Sequence, residues 1–189
     1  HSLDRRQRQM CIRDRSHYED YHIKASRLGI GACLHMEVDV EENQIKEETK
    51  MIHNLIENND TIIRGVISSC RPEKNNFQDM IQYAEAQRLI KGFRRVLHVA
   101  PDNTARSDQF KKNIKLLSDT MLTFDICAFP HQHPEIMELI DFCPKVTFIL
   151  DHCGVPNIKE GDFNVWKKSI AQLAQRDNLF CKISGIIAY

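Results

Sequence analysis

No C-x-x-C pair occurs among the seven cysteines, which stand at 11, 33, 70, 127, 143, 153 and 181. That spacing and the odd number argue against a zinc knuckle or a disulfide framework. Several of these thiols fall inside apolar runs, where free cysteine acts as a small hydrophobe, and a reducing cytoplasm is the expected compartment. The seven glycines never form G-x-G-x-x-G, and neither a P-loop nor a G-x-S-x-G elbow is present. Dinucleotide binding and Ser-His-Asp hydrolysis therefore lack their signatures. Formal net charge is zero, so nothing global favours nucleic acid or an acidic membrane surface. No apolar run reaches the roughly 18 residues of a membrane span. The arginine-rich start has no apolar h-region, so no secretory signal is expected there.

What is present is periodic. Residues 17–28, 43–57, 76–90, 107–119, 134–142 and 162–175 read as helices, and 31–38, 61–70, 93–99, 123–129, 146–152 and 179–184 read as strands. Lys91-Gly92 reads as the stop of the third helix. Trp166, with Phe163 and Ile170 at helical spacing, reads as helix core against the sheet. Strict alternation of six strands with helices implies an α/β fold with a parallel sheet covered by helices. Without a dinucleotide fingerprint, a (β/α)₈ TIM barrel is favoured over a doubly wound sheet, here incomplete, with about six of eight β/α units.

In such an architecture the chemistry collects at the carboxyl ends of the strands. His152 follows Asp151 at the end of the most apolar strand, where an imidazole can bind a metal, polarise a carbonyl or shuttle a proton; the bland alternative is a hydrogen-bonded histidine in the mouth. Asp151 is read as its orienter or a loop cap. His131, Gln132 and His133 enter a helix N-terminus, with one expected to face the pocket and at least one to be an exposed capping residue. His131-x-His133 has a metal-like spacing but does not by itself define a metal site. Lys182 lies in an apolar strand, where an unpaired ammonium is costly, and Asp125 poses the same problem on another strand. The two are expected to pair, as a structural ion pair or at the mouth. Ser184 shares the face of Lys182. Glu37, with His35, ends the first strand, Cys70 and Arg71 the second, and His98 the third. Arg71 suits a carboxylate-bearing substrate, against the alternative of a salt bridge to Glu73 or another loop acid. Arg94 and Arg95 begin the third strand and so are expected near the opposite, stability face.

The stretches Thr123-Phe-Asp-Ile-Cys, His131-Gln, Pro134, Phe148-Ile-Leu-Asp-His-Cys-Gly-Val-Pro156 and Cys181-Lys-Ile-Ser-Gly185 resemble the amidohydrolase-related family, in its sugar-lactonase branch. Weaker similarity runs through Met36-Glu-Val-Asp39, Cys70-Arg-Pro-Glu73 and Gly92-Phe-Arg-Arg-Val-Leu-His98. The resemblance implies a TIM barrel that hydrolyses a small-molecule substrate, a sugar lactone or related carboxylic ester, with His152 in the position that binds metal or polarises the carbonyl. A divalent metal such as zinc is left open. The first-strand D-x-H-x-H and the last-strand aspartate of the family are not found here. A metal-dependent decarboxylase of the same superfamily is the other enzymatic reading. A nucleic-acid-binding protein using its basic N-terminal arm is the non-enzymatic one; neither nucleic acid nor membrane is the expected partner.

Residues 1–16 match neither period. Met10-Cys-Ile-Arg-Asp-Arg15 can be back-translated as a transposon mosaic-end adapter, so 1–16 is expected to be non-native or a disordered tail. Residues 17–189 are then a partial barrel domain, expected to be an inactive fragment of its parent.

Overall fold

A computed structural model describes residues 17–159 and 163–185. The chain opens with α1 (Tyr18–Arg27), whose Glu19 and Asp20 lie in the first turn and Lys24 and Arg27 in the last, complementing the helix dipole. Five β/α repeats and a sixth strand follow: β1 (Cys33–Met36) with α2 (Ile45–Asn58), β2 (Ile63–Ser69) with α3 (Phe77–Gln87), and β3 (Ile90–Val96) with α4 (Asp108–Lys115). β4 (Thr123–Cys127) leads to α5 (His133–Phe142), β5 (Phe148–Leu150) to α6 (Phe163–Leu173), and β6 (Leu179–Cys181) closes the series. All neighbours pair parallel in the order β1-β2-β3-β4-β5-β6, giving a curled, incomplete barrel with helices outside. The expected α/β incomplete barrel is the observed fold. The expectations for residues 1–16 lie outside the described residues. Among the described residues no helix is long and apolar enough to cross a membrane.

Registered pairing places Phe93, Phe124, Phe148 and Leu179 on one face of the sheet, the face toward the helices. Phe93, Phe124 and Phe148 are fully buried in the main core, with Phe110 of α4 and Ile136, Leu139 and Ile140 of α5. Phe110, Phe124 and Phe148 stack edge-to-face at centroid distances of 6.0 and 6.1 Å, a geometry favoured by the ring quadrupoles.

Most strands are shorter than the sequence reading gives them, and one boundary shift changes where side chains lie. The third helix stops at Arg88, which takes the left-handed conformation (φ 50°), and Gly92 lies inside β3. Gly92 is there for space: a Cβ would stand 2.7 Å from the Thr123 carbonyl oxygen of β4. β3 therefore starts at Ile90, which moves Arg94 from the base of the strand to its upper half.

Candidate active site

The same register builds the inner face. Arg94 pairs with Asp125, Asp125 with Ile149, and Ile149 with Phe180. Two residues further along their strands come Asp151 and Lys182, on the same face by the two-residue period. Four charged groups from four successive strands thus converge at the carboxyl ends. Arg94 Nε donates to Glu37 Oε1 at 2.5 Å, Nη2 to the Glu37 carbonyl at 2.8 Å, and Nη1 to Asp151 Oδ2 at 3.3 Å. Lys182 Nζ bonds Asp125 and stands 3.0 Å from Asp151 Oδ1, a charge contact without hydrogen-bond geometry. The Lys182–Asp125 pair is the one anticipated from the sequence. Arg94 is the group missed: it is central to the mouth, not on the stability face. Arg95, with opposite parity, points to the helices and pairs with Glu73 at 2.8 Å.

β5 ends in a turn of unusual handedness. His152, Cys153, Gly154 and Val155 have successive φ values of 53, 54, 73 and 49°. Left-handed backbone is costly for non-glycine residues, most of all for β-branched valine. Three hydrogen bonds hold it: Cys153 N to Lys182 O at 3.0 Å, Val155 N to His152 O at 2.9 Å, and Trp166 Nε1 to Cys153 O at 2.7 Å. Trp166 is therefore a half-buried brace for this turn, a role its helical spacing does not reveal. The result aims a half-buried His152, whose Nδ1 is 3.0 Å from Ser184 Oγ. Gly185 (φ 65°) lies against the ring, and a Cβ there would stand 2.7 Å from Nδ1. Gly185→Ala is expected to push the imidazole off Ser184 and cost about 1–2 kcal/mol of stability. Shifted His152 ring resonances by NMR and a lower urea midpoint would show it, and unmoved resonances would refute it.

Beside His152, the Cys127 sulfur, an Asp151 oxygen and a His152 nitrogen lie within 4.8 Å of one another. His98 Nδ1 is 3.2 Å from Cys127 Sγ, and the His98 ring packs on Phe129 at 5.0 Å. Burial, then the nearby His152 and Arg94 charges, lowers the His98 pKa. Asp151 Oδ1 is buried with no hydrogen-bond partner. A buried carboxylate oxygen with no hydrogen bond, held only by the Lys182 charge, beside a thiol and an imidazole is a donor set that a divalent metal can take up, so these residues fit such an ion.

The remaining predicted residues are engaged elsewhere. Arg71 donates to Ser69 Oγ and the Cys70 carbonyl, both at 2.8 Å, and to Asp39 at 3.0 Å. The loop-acid alternative is thus the observed one, with Asp39 as the acid. Gln132 is buried; its side chain accepts from Phe129 N at 3.0 Å and donates to the Leu97 carbonyl at 3.1 Å, an arrangement that fixes the loop. His131 is exposed, 3.6 Å from Asp102, and lines a cavity of about 470 Å³ with Phe129, Val155 and Pro156. His133 is fully buried against Ser169 at 2.7 Å.

Two buried groups, one in the mouth and one beneath it, give the fold a pH signature. Burial pushes the Asp125 carboxyl up to about 6, against the pull of Lys182, and burial pushes the His133 imidazole down to about 4. Asp125 binds protons more readily folded than unfolded, so its contribution falls as pH rises from 3.8 to about 6. His133 is the reverse: its contribution is full above 6.5 and is lost as pH falls toward about 4. The two slopes oppose each other. Asp125→Asn removes one, and stability should then rise about 1–3 kcal/mol more than in the wild type between about pH 4 and 6. Urea midpoints across that window check it; parallel profiles would contradict it.

A curled parallel sheet with charged and metal-ligating groups at its carboxyl ends defines the class of (β/α)-barrel enzyme folds with a site in the mouth. The amidohydrolase family profile matches residues 13–189, and the chain belongs to that family. It is 23% identical over 177 residues to the uncharacterized protein y4mH of Sinorhizobium fredii, covering 89% of this chain and 59% of that protein. It is 27% identical over 108 residues to an L-fucono-1,5-lactonase of Burkholderia multivorans, covering 52% and 36% of the two chains. A zinc-bound amidohydrolase structure, also from Burkholderia multivorans, superposes with a TM-score of 0.78 at 19% identity, over 90% of this chain and 59% of that one. The chain thus spans about three-fifths of the length of y4mH and of that structure.

Proposed function

We propose that the protein takes part in opening a lactone or similar carboxylic ester by water attack on a polarised carbonyl, with His152 at the carbonyl oxygen. The observation that carries this reading is the placement of His152: the left-handed turn at the end of β5 brings it within 4.8 Å of Cys127 and Asp151 at the carboxyl ends of the strands. The likeness to lactonases supports the substrate class. Asp151 anchors the start of the turn through Arg94 and Lys182 and so positions His152. Asp125 and Asp151 are both held by cations, and neither is assigned as the base that activates water. Asp151 and His152 would hold a divalent ion, which when bound would supply Lewis-acid polarisation of the carbonyl.

The test is acid release from a panel of sugar 1,5-lactones, assayed on this chain and on the full reading frame of its gene. His152→Asn suits the comparison because asparagine tolerates the left-handed backbone. A loss in kcat of about 10²–10³ is expected. No turnover by the full reading frame, or turnover indifferent to this substitution, would sink the proposal.

A further inference from the structure

We infer that Cys127, Asp151 and His152 form a thiolate-bearing site for a borderline-soft divalent cation of the zinc type. The inference goes beyond the lactone reading and stands without it, since an ion can be held there whether or not a lactone is opened. The donor atoms lie within 4.8 Å of one another, whereas ligands around a tetrahedral zinc are roughly 3.3–3.8 Å apart. A contraction of about 1 Å closes the set. His152 lies in the braced left-handed turn, Asp151 immediately precedes it, and Cys127 ends the neighbouring strand β4. Asp151 is 1% exposed, and its Oδ1 has no hydrogen bond to give up.

The charges around the site permit it. Glu37, Asp125 and Asp151 face two cations, Arg94 and Lys182, so one negative charge is in excess. Lys182 is the direct competitor, at 3.0 Å from Asp151 Oδ1, yet it keeps Asp125 when an ion displaces it. On binding, the Cys127 S–H bond breaks, its proton passes to solvent, and a sulfur–metal bond forms. A sulfur donor selects zinc, cobalt or cadmium over magnesium or calcium, which prefer oxygen. His98, 3.2 Å from Cys127 Sγ, is placed to hold the sulfur in position.

Cobalt(II) titrated into the whole chain reads the site without any activity assay. A sulfur-to-cobalt charge-transfer band saturating at one equivalent is expected, undiminished by about 100-fold excess magnesium. Cys127→Ser should abolish the band with near-UV circular dichroism unchanged. The double variant Cys153→Ser/Cys181→Ser should keep it; these two thiols both contact the Lys182 carbonyl, at 3.6 and 3.7 Å, and are the alternative sulfur source. Lys182→Met should tighten cobalt binding. X-ray absorption of the zinc-loaded wild type needs no substitution and should count one sulfur neighbour. No band, a band that survives Cys127→Ser, or a zinc shell of nitrogen and oxygen alone would each overturn the inference. A bound ion with no lactone turnover would leave it standing while the hydrolase reading falls.

Discussion

Arg94→Ala is expected to cost about 3–5 kcal/mol, the penalty for leaving buried carboxylates without their counter-charge. The Glu37 side chain is 0% exposed and Asp151 1%, so neither can recover water when the guanidinium is removed. A domain stable by about 5–15 kcal/mol would lose a third or more of its margin. Urea unfolding followed by circular dichroism measures the loss. A double replacement, Arg94→Leu with Glu37→Leu, should be markedly less damaging than the sum of the single changes, because the orphaned charge goes with its partner. A loss below about 1 kcal/mol for Arg94→Ala would place the pair with solvent-screened surface bridges and remove it from the core of the mouth.

Phe124→Ala should be as costly, at about 3–5 kcal/mol, for a different reason. Phe124 is fully buried between Phe110 and Phe148, with edge-to-face contact to both. Truncation removes apolar burial and leaves a cavity that rigid strands on both sides of β4 cannot collapse to fill. No single second substitution should restore it, in contrast to Arg94. Thermal unfolding of the two variants, singly and combined, separates the cases, and a Phe124→Ala midpoint close to wild type would show that the core relaxes around the gap.

Much of this was legible because alternation is a strong signal. Phe124 and Asp125 sit side by side in one apolar strand, which already says that one faces helices and the other the barrel interior. Lys182, with the same conflict on a later strand, was the natural partner, and the pair forms. The misreading of Arg94 came from Lys91-Gly92: glycine after lysine mimics a helix stop, whereas here it makes room for the Thr123 carbonyl. Shifting the strand start by three residues moves Arg94 from the base of β3 to its upper half. For Arg71 the sequence already offers a loop acid as the alternative to a ligand, but a one-dimensional pattern does not single out Asp39 as that acid, nor show that the Leu97 carbonyl occupies Gln132. The left-handed run through Val155 was invisible for the opposite reason, since no local preference of valine predicts it.

Strand order follows chain order throughout, from β1 to β6, so the backbone of each strand pairs only with its sequence neighbours. Such an array frays from its ends inward, as stacked repeats do, while the interior persists. Lys182 and Ser184 follow the last strand, whereas the phenylalanine column sits under β3, β4 and β5. Opening at β6 therefore frees Asp125 of its ammonium and His152 of its hydroxyl before the aromatic interior yields. The edge strand thus holds the Lys182 and Ser184 contacts of the mouth, while Arg94 on β3 holds the rest from the interior of the sheet.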